Sequence, residues 1–368
     1  MFRKQKQKVD VKFLTLSLAL TALGLIAIAD ASAPQAIQVF NDRFYFLKEQ
    51  GVSALFGIAI LLVVVNIPYS FWQKVATPLF FTSLIFLVLV LFPEFGSKIL
   101  GARRWFVFGP LRFQPSELVK FTTALYFARL ASKDKPFLAY LLPLVVTLLL
   151  VMLQPDLGTS LVIASIGIVQ IFIAGINIYY FLALMVGGGL ASSLLILFSD
   201  YRRARLVTFF EQTQDPLGQS YHIRQILLSL GLGGLWGVGL GASRQKYLFL
   251  PEATTDSIFA VMAEEVGFVG AVILIIALAF FVYKALKISL NAPDKFSKIL
   301  GYGLSAWLGC QIFLNIASNV ALVPLTGVPL PFFSYGGSSL TMVLIAVGIL
   351  LNISRYGTKE KKVKKRHY

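Results

Sequence analysis

The stretch Lys98-Ile-Leu-Gly-Ala-Arg-Arg-Trp-Phe-Val-Phe-Gly-Pro-Leu-Arg112 decides how this chain is arranged, because it places positive charge between two long apolar segments. Counting apolar segments from the lysine-rich N-terminus puts this stretch outside the cell, where Lys and Arg are normally depleted. This stretch departs from the rule that positive residues are depleted outside the cell, which indicates that its positive charges have a function there. We expect these residues to bind an anion at the outer membrane surface, such as a lipid phosphate or diphosphate.

The surrounding apolar segments define the fold class. Hydrophobic residues make up 57% of the 368 residues, with a mean hydropathy of +0.78, and apolar runs of about 18 or more residues are typical of transmembrane helices. The sequence predicts an all-α, polytopic integral membrane protein in one domain, residues 1–368, with about ten transmembrane helices. The predicted spans are residues 13–31, 51–67, 76–93, 115–131, 137–153, 159–175, 178–198, 257–283, 299–323 and 335–353.

Charge predicts the orientation of these spans. Lys and Arg total 33 against 17 Asp and Glu, a net charge of +16. The basic N-terminus, residues 1–12, and the basic tail, residues 355–368, are both expected in the cytoplasm. Because the basic residues flank membrane spans, anionic membrane lipids explain the charge better than nucleic acid does.

One long outer loop, about 199–256, is predicted between the seventh and eighth spans. Its apolar, glycine-rich part, residues 226–240, is short for a span, and counting it as one would put the basic tail outside. We expect it to be re-entrant or to lie on the outer surface, which is allowed where protein covers the backbone. Loops of this length are usually functional or disordered.

Asp256 is the first candidate for chemistry, because it lies immediately before the apolar span that opens at Ser257. An aspartate at this position can be held by the amides and the dipole of the helix. Its ordinary role from position alone is therefore helix capping, although Thr254 and Thr255 could cap equally well. Catalysis is the alternative.

Glu117 and Lys120 form a second constellation. Pro115 suits a first helical turn, so the two ionisable residues lie three apart on one face of the fourth span. Ionisable groups in a membrane usually face each other or a cavity. Both a structural ion pair and a substrate-positioning cavity wall remain open.

The remaining candidates are one acidic residue, Asp156, and the arginine and lysine residues of the outer loops. Asp156, in Gln154-Pro-Asp, is expected to cap the sixth span. The basic residues of the outer loops would together form a basin suited to a polyanion. They are Arg103, Arg104, Arg112, Arg202, Arg203, Arg205, Arg244 and Lys246.

Metal ligands are scarce in this sequence. His222 and His367 are the only histidines, which excludes a zinc site with several histidine ligands. Any metal would be a hard ion held by carboxylates and phosphate oxygens. Cys310 is alone in an apolar span and is expected to be a small core residue.

Taken together, the motifs of this chain resemble the SEDS family of bacterial cell-wall synthesis, the group of FtsW, RodA and SpoVE. The resemblance covers nearly the whole chain, and it depends on the joint order of several motifs. These are Gly101-Ala-Arg-Arg-Trp105, Gln114-Pro-Ser-Glu117 with Lys120, Gln154-Pro-Asp-Leu-Gly-Thr159, Gly233-Gly-Leu-Trp-Gly-Val-Gly-Leu-Gly241, Leu250-Pro-Glu252 with Thr255-Asp256, Ile258-Phe-Ala260 with Glu264-Glu265, and Ser334-Tyr-Gly-Gly-Ser-Ser339.

The resemblance implies a peptidoglycan glycosyltransferase that polymerises lipid II at the outer membrane face. It implies that Asp256 is catalytic. The residues then expected to bind substrate are Arg103, Arg104, Arg112, Glu117, Lys120, Asp156, Arg202, Lys246, Glu252 and Ser334. Gly239-Leu-Gly-Ala-Ser243 with Lys246 is more similar to the division branch, FtsW and SpoVE, than to RodA. The chain departs from the family pattern at Thr254, Ser257, His222 and Ile226.

The resemblance also implies partners, and rival functions remain open. The expected partners are a class B penicillin-binding protein and other membrane proteins of the division machinery. Mg²⁺ or Mn²⁺ could assist on the diphosphate, and no organic cofactor is expected. The alternatives are a lipid II flippase, a RodA-type elongation polymerase, or a division scaffold.

Overall fold

The computed structural model describes residues 8–99, 102–109, 111–197, 203, 220–247 and 249–357. Within these residues the chain forms twelve helices and three short strands. The helices are α1 Val11–Ala31, α2 Ala33–Phe40, α3 Tyr45–Asn66, α4 Tyr69–Leu89, α5 Pro115–Ser132, α6 Leu138–Met152, α7 Leu157–Ile173, α8 Ile178–Leu197, α9 Tyr221–Gly233, α10 Ile258–Leu290, α11 Lys295–Asn319 and α12 Gly337–Ser354. The strands are β1 Ser97–Ile99, β2 Ala102–Phe108 and β3 Leu111–Phe113.

Ten of the helices described here occupy the ten predicted spans, and the polytopic all-α class is confirmed. By length and composition, α1, α3, α4, α10, α11 and α12 can each cross a membrane. The apolar stretches of α6, α7 and α8 are shorter. α5 has 18 residues but carries the ionisable Glu117 and Lys120. α2 and α9 are short helices between the predicted spans.

Some helices lie in the centre of the bundle and others lie at its periphery. About two thirds of the apolar stretch of α11 and of α12 is buried inside the protein, against a third or less in α1, α3, α4 and α10. α5 is also buried along most of its length, including Glu117 and Lys120. Polar residues on α5 and α11 therefore face protein rather than lipid, which is where a membrane protein tolerates them.

Side-chain caps begin α1 and α11. Asp10 caps α1, its side chain accepting from the Phe13 amide at 3.0 Å, and it also forms an ion pair with Lys284 at 2.8 Å. Asp294 and Ser297 form a reciprocal capping box at the start of α11. These caps satisfy amides that a helix N-terminus leaves without intrahelical partners.

The basic stretch is not an irregular loop but a small antiparallel sheet. β2 pairs with β1 and with β3, in the order β1-β2-β3. Gly109, at φ +59°, lies in the turn between β2 and β3. The pairing places Lys98 opposite Arg103 and Arg112 opposite Val107, so strand pairing sets the relative positions of these basic residues.

The eighth predicted span, 257–283, is interrupted at Gly267. This residue has φ +72° and ψ −175°, a conformation that only glycine adopts readily. A Cβ there would lie 2.2 Å from the Gly237 nitrogen. The N-terminal part of α10, up to Val266, is therefore a separate helix that carries Asp256 before its first turn.

The glycine-rich segment 234–239 fills the gap in α10. Four main-chain hydrogen bonds join them: Phe268 N to Gly234 O at 2.9 Å, Val269 N to Leu235 O at 3.2 Å, Val238 N to Glu264 O at 3.0 Å, and Gly239 N to Glu265 O at 3.1 Å. The groups that the break frees from the helix ladder are thus satisfied by another part of the chain. The predicted re-entrant or surface segment, 226–240, consists of most of α9 followed by this insert, both packed on α10.

Candidate active site

The candidate site is a cavity of about 480 Å³ at the end of the bundle where α5, α7, α10 and α12 begin. Its walls come from β2, the α6–α7 turn, α9, the loop before α10 and the loop between α11 and α12. The titratable residues that line it are Arg104, Glu117, Asp156, His222, Glu252, Asp256 and Tyr335. Segments more than 200 residues apart in sequence therefore contribute to one polar cavity.

Asp256 lies in this cavity, and its main chain is held by α11. The Asp256 carbonyl oxygen accepts hydrogen bonds from Asn315 Nδ2 at 3.0 Å and from Asn319 Nδ2 at 2.8 Å. The N-cap position of α10 belongs to Ser257, which makes no side-chain capping bond. A rigid helix thus fixes the main chain at Asp256, and the carboxylate lines the cavity.

The loop between α11 and α12 holds the same segment from the other side. Ser334 Oγ donates to the Thr255 carbonyl at 2.6 Å and accepts from the Leu330 amide at 2.7 Å. The Tyr335 amide donates to the Thr254 carbonyl at 2.8 Å. Ser334, a predicted substrate-binding residue, is therefore placed behind the cavity wall, where it fastens two loops together.

Tyr335 forms part of the cavity wall, as does Trp105. Burial and a hydrogen bond from its hydroxyl to Glu49 raise the pKa of Tyr335 far above the ordinary tyrosine value. Glu49 also accepts from the Tyr45 hydroxyl at 3.0 Å. The Tyr335 phenol is therefore protonated at neutral pH and serves as a hydrogen-bonding group, not as a base.

Glu117 and Lys120 form the ion pair that the sequence predicts, and a role in positioning substrate stays a prediction. Lys120 Nζ lies 2.8 Å from Glu117 Oε1 and 2.9 Å from Gln311 Oε1, and it lies 5.2 Å from the centre of the Trp307 ring. Both side chains of the pair are about 2–3% exposed. Glu117 lines the cavity, whereas Lys120 lies behind it. The pair is a structural link between α5 and α11 with one member at the site.

Asp156 and Arg104 meet at the α6–α7 turn. Asp156 caps α7, as predicted, by accepting from the Thr159 amide at 3.0 Å and the Thr159 hydroxyl at 2.9 Å. Arg104 donates from Nε to the Gln154 carbonyl at 2.7 Å and from Nη2 to the Pro155 carbonyl at 2.6 Å. The guanidinium group therefore fastens the sheet to the bundle and lines the cavity at the same time.

Lys246 forms its ion pairs with residues that do not line this cavity. Its ammonium group binds both oxygens of Asp30 at 2.8 Å and Glu265 at 2.8 Å. Burial lowers the pKa of Lys246, but the hydrogen bonds to Asp30 and Glu265 outweigh this effect and raise the pKa above the ordinary lysine value. Lys246, predicted to bind substrate, is placed so that it joins the loop before α10 to α1 and α10.

The other predicted residues divide between the cavity and the sheet. Glu252 lines the cavity and accepts from the Thr255 hydroxyl at 2.7 Å. Arg103 and Arg112 lie on β2 and β3 and are not among the cavity-lining residues. The Arg112 carbonyl accepts from the Ser338 hydroxyl at 2.7 Å. Arg202 lies outside the described residues.

Sequence reasoning missed three contributors to the site. His222 lines the cavity, and its Nε2 lies 2.7 Å from the Ser257 hydroxyl. The sequence around His222 carries no signal for this placement. Asn315 and Asn319 did leave a signal, because two amides four residues apart in an apolar span lie on one helix face.

The fold and the site together define a polytopic helical membrane protein with an acid-rich cavity at one end of its bundle. The cavity has its own cation in Arg104, and Glu117 is paired with Lys120 behind the wall. Such a cavity suits polar headgroup chemistry at the membrane surface.

Comparisons with known proteins identify the family. The family described as cell cycle protein, FtsW/RodA/SpoVE, matches residues 11–359. Stage V sporulation protein E of Bacillus subtilis is 38% identical over 360 residues, covering 96% of this chain and 98% of that protein. The probable peptidoglycan glycosyltransferase FtsW of Geobacter metallireducens is 36% identical over 359 residues, covering 95% and 96%.

Solved structures agree with the sequence relatives. A chain of a peptidoglycan synthase complex that coordinates polymerisation and crosslinking has a TM-score of 0.78 at 28% identity, covering 96% of this chain and 99% of that one. The rod shape determining protein RodA of Thermus thermophilus has a TM-score of 0.71 at 29% identity, covering 96% and 98%. The chain belongs to the FtsW/RodA/SpoVE family, and the resemblance found in the sequence is confirmed.

Proposed function

We propose that this chain is a peptidoglycan glycosyltransferase that polymerises lipid II at the outer face of the cytoplasmic membrane. The observation that carries the proposal is the cavity that Asp256, held by α11, lines together with Arg104 and Glu252. The near full-length similarity to proteins named as probable peptidoglycan glycosyltransferases supports it. The identities to FtsW and SpoVE, 36–39% across the leading relatives, favour the division branch.

The reaction is glycosyl transfer between two lipid-linked disaccharides by one inverting displacement. A sugar hydroxyl of the acceptor attacks the anomeric carbon of the donor, and the donor's diphosphate leaves. Asp256 takes the hydroxyl proton as the new bond forms. Arg104, with Arg103 and Arg112 on the same sheet, stabilises the negative charge that grows on the diphosphate.

A divalent cation, Mg²⁺ or Mn²⁺, fits the charge balance of the cavity. Four carboxylates line it, Glu117, Asp156, Glu252 and Asp256, against the one arginine Arg104. Glu117 is neutralised by Lys120, and Asp156 is used as a helix cap. Glu252 would hold the ion together with phosphate oxygens of the substrate, an arrangement typical of Mg²⁺, while Asp256 acts as the base. The ion would neutralise charge on the leaving diphosphate.

The test is polymerisation of lipid II by the purified protein. Asp256→Asn keeps the main-chain carbonyl that Asn315 and Asn319 bind, so the fold should be retained while the base is lost. We expect the rate to fall by about 10²- to 10⁴-fold. Asp42→Asn, the same change at an aspartate outside the cavity, is the matched control. Full activity of folded Asp256→Asn would refute the assignment of the base.

The same reconstitution separates the enzyme from a flippase. Glycan chains made from lipid II that is already on the accessible face require a polymerase. Fluorescent lipid II that crosses a bilayer without polymer formation would instead indicate transport.

We place both termini in the cytoplasm and the site on the outer face, on the strength of the basic termini. An accessibility tag at Gln212, between the seventh and eighth spans, should be labelled from outside the cell. Labelling of that tag only from the cytoplasm would refute this orientation.

A class B penicillin-binding protein is the proposed partner, with other membrane proteins of the division machinery and membrane lipids around the complex. The similarity to a chain of a peptidoglycan synthase complex supports it. On α8, a Cβ added at Gly187, Gly188 or Gly189 would meet nothing within 4 Å among the described residues. Because these glycines do not serve packing there, they offer a surface for close approach of a partner helix.

The partner surface is tested with Gly188→Leu. We expect weaker co-purification with the penicillin-binding protein and unchanged lipid II polymerisation by the isolated chain. Gly51→Leu, at another open helical glycine, is the control. If Gly188→Leu leaves partner binding unchanged, this surface is not the interface. A fluorescent fusion of the chain should collect at midcell, and fluorescence confined to the sidewall would overturn the division assignment.

A further inference from the structure

A second cavity, of about 620 Å³, lies at the opposite end of the bundle from the candidate active site. We call it the lysine cavity and define it by Asp134, Lys135, Tyr140, Tyr180 and Lys295, which line it. α5 connects the two regions, beginning beside the active-site cavity and ending at Ser132 near the lysine cavity. Its 18 residues span about 27 Å at 1.5 Å per residue, so the two cavities are separate sites.

The charged groups of this cavity leave one net positive charge. Lys295 forms an ion pair with Asp134. Lys135 is exposed and forms no ion pair among the described residues. An anion entering the cavity would meet Lys135 directly and would compete with Asp134 for Lys295. Neither lysine takes part in the proposed chemistry, so the active site leaves this charge unexplained.

The walls of the cavity are apolar and aromatic. Phe137 and Tyr180 stack with their ring centres 5.2 Å apart, which joins the start of α6 to the start of α8. Tyr140 is buried at the same place. Leu138 lines the cavity and is 70% exposed at the periphery of the bundle. Tyrosines beside basic residues at the end of membrane helices are typical of the headgroup level of a bilayer.

We propose that the lysine cavity binds the headgroup of an anionic phospholipid. Its phosphate would lie at Lys135 and Lys295, and its acyl chains would run along the lipid-facing side of α6 from Leu138. A soluble phosphate ion would bind to the two lysines alone, whereas a lipid would also contact the apolar rim. The cavity has both the lysines and the apolar rim, so it fits a lipid. Basic pockets between membrane helices are known to hold anionic lipid headgroups. This site does not depend on the proposed enzymatic activity.

The experiment measures lipid retention by the purified full-length chain in detergent, using native mass spectrometry. The probes are phosphatidylglycerol, phosphatidylcholine and inorganic phosphate. We expect the wild type to retain phosphatidylglycerol in preference to phosphatidylcholine. Lys135→Gln should weaken retention roughly fivefold, which is the effect of about 1 kcal/mol for one cation near an anionic headgroup. Lys135→Arg should restore it.

Two further variants make the test specific. Asp134→Asn frees Lys295 and should tighten phosphatidylglycerol binding. Lys48→Gln, at an exposed lysine remote from the cavity, should change nothing. Equal retention of both lipids by the wild type, or no loss with Lys135→Gln, would overturn the proposal. Displacement of the lipid by millimolar inorganic phosphate would show a soluble-anion site and would also overturn it.

Discussion

Lys246 offers the sharpest test of how the loop before α10 is held. Its side chain is 3% exposed and bridges Asp30, on α1, and Glu265, on the N-terminal part of α10. Glu265 is 6% exposed and Asp30 is 24% exposed. Replacing Lys246 with Met therefore leaves one carboxylate buried without its cation and a second one half-shielded from water.

The size of the effect follows from that burial. Removing one partner of a buried ion pair typically costs about 3–5 kcal/mol, because the remaining charge is uncompensated. Asp30 is partly solvated, so we expect the lower end, about 3 kcal/mol. This is a large share of the ~5–15 kcal/mol by which folded proteins are stabilised. Polymerase activity should fall as well, because the loop from Lys246 to Asp256 would lose its anchor.

The assay is unfolding in detergent, with thermal and denaturant measurements on the same preparations. A variant that combines Lys246→Met with Asp30→Asn and Glu265→Gln removes all three charges and is the matched control. It should recover most of the lost stability, since replacing a whole buried ionic group by neutral residues is often close to neutral. If Lys246→Met unfolds within about 0.5 kcal/mol of the wild type, the argument that this pairing anchors the loop is wrong.

Three further changes test the site and its supports. The double variant Asn315→Leu, Asn319→Leu removes both donors to the Asp256 carbonyl. We expect polymerase activity to fall by about 10²-fold, because a small misplacement of a reacting group has an effect of this size. Circular dichroism should show an unchanged helix content. Gly267→Ala should destabilise the protein by more than the ~1 kcal/mol usual for a point mutation, because its Cβ would lie 2.2 Å from a main-chain nitrogen; an unchanged unfolding midpoint would contradict the break in α10. Chelation of divalent ions should abolish polymerisation, and Mg²⁺ or Mn²⁺ should restore it; full activity in excess chelator would exclude the metal.

Much of the membrane architecture can be predicted from local sequence alone. Apolar runs predict where the spans lie because each helix satisfies its own main-chain hydrogen bonds within the bilayer. The Glu117–Lys120 pair and the Asp156 cap are equally local, since their partners lie three residues apart on one helix or at its first turn. Such features need no knowledge of how the helices pack.

The site itself depends on contacts between distant segments. The sequence marks Asp256 by its position before a span and by the motif around it. Only the tertiary structure brings it to Asn315 and Asn319 and into one cavity with Arg104 and Glu117. It also places Lys246 in an ion-pair group and Ser334 behind the wall, because in a buried environment each polar group must find a partner.

The break in α10 shows most clearly which features depend on local sequence and which depend on tertiary packing. The span 257–283 predicts one continuous helix, because a single glycine such as Gly267 is tolerated inside a helix at a cost of about 1 kcal/mol. The interruption is stable because the segment 234–239 supplies hydrogen-bond partners to the amides and carbonyls that the break exposes. A helix in the membrane can end only where its main-chain groups are satisfied elsewhere. The local sequence therefore determined the helices, and packing between remote segments decided where this one breaks and where Asp256 lies.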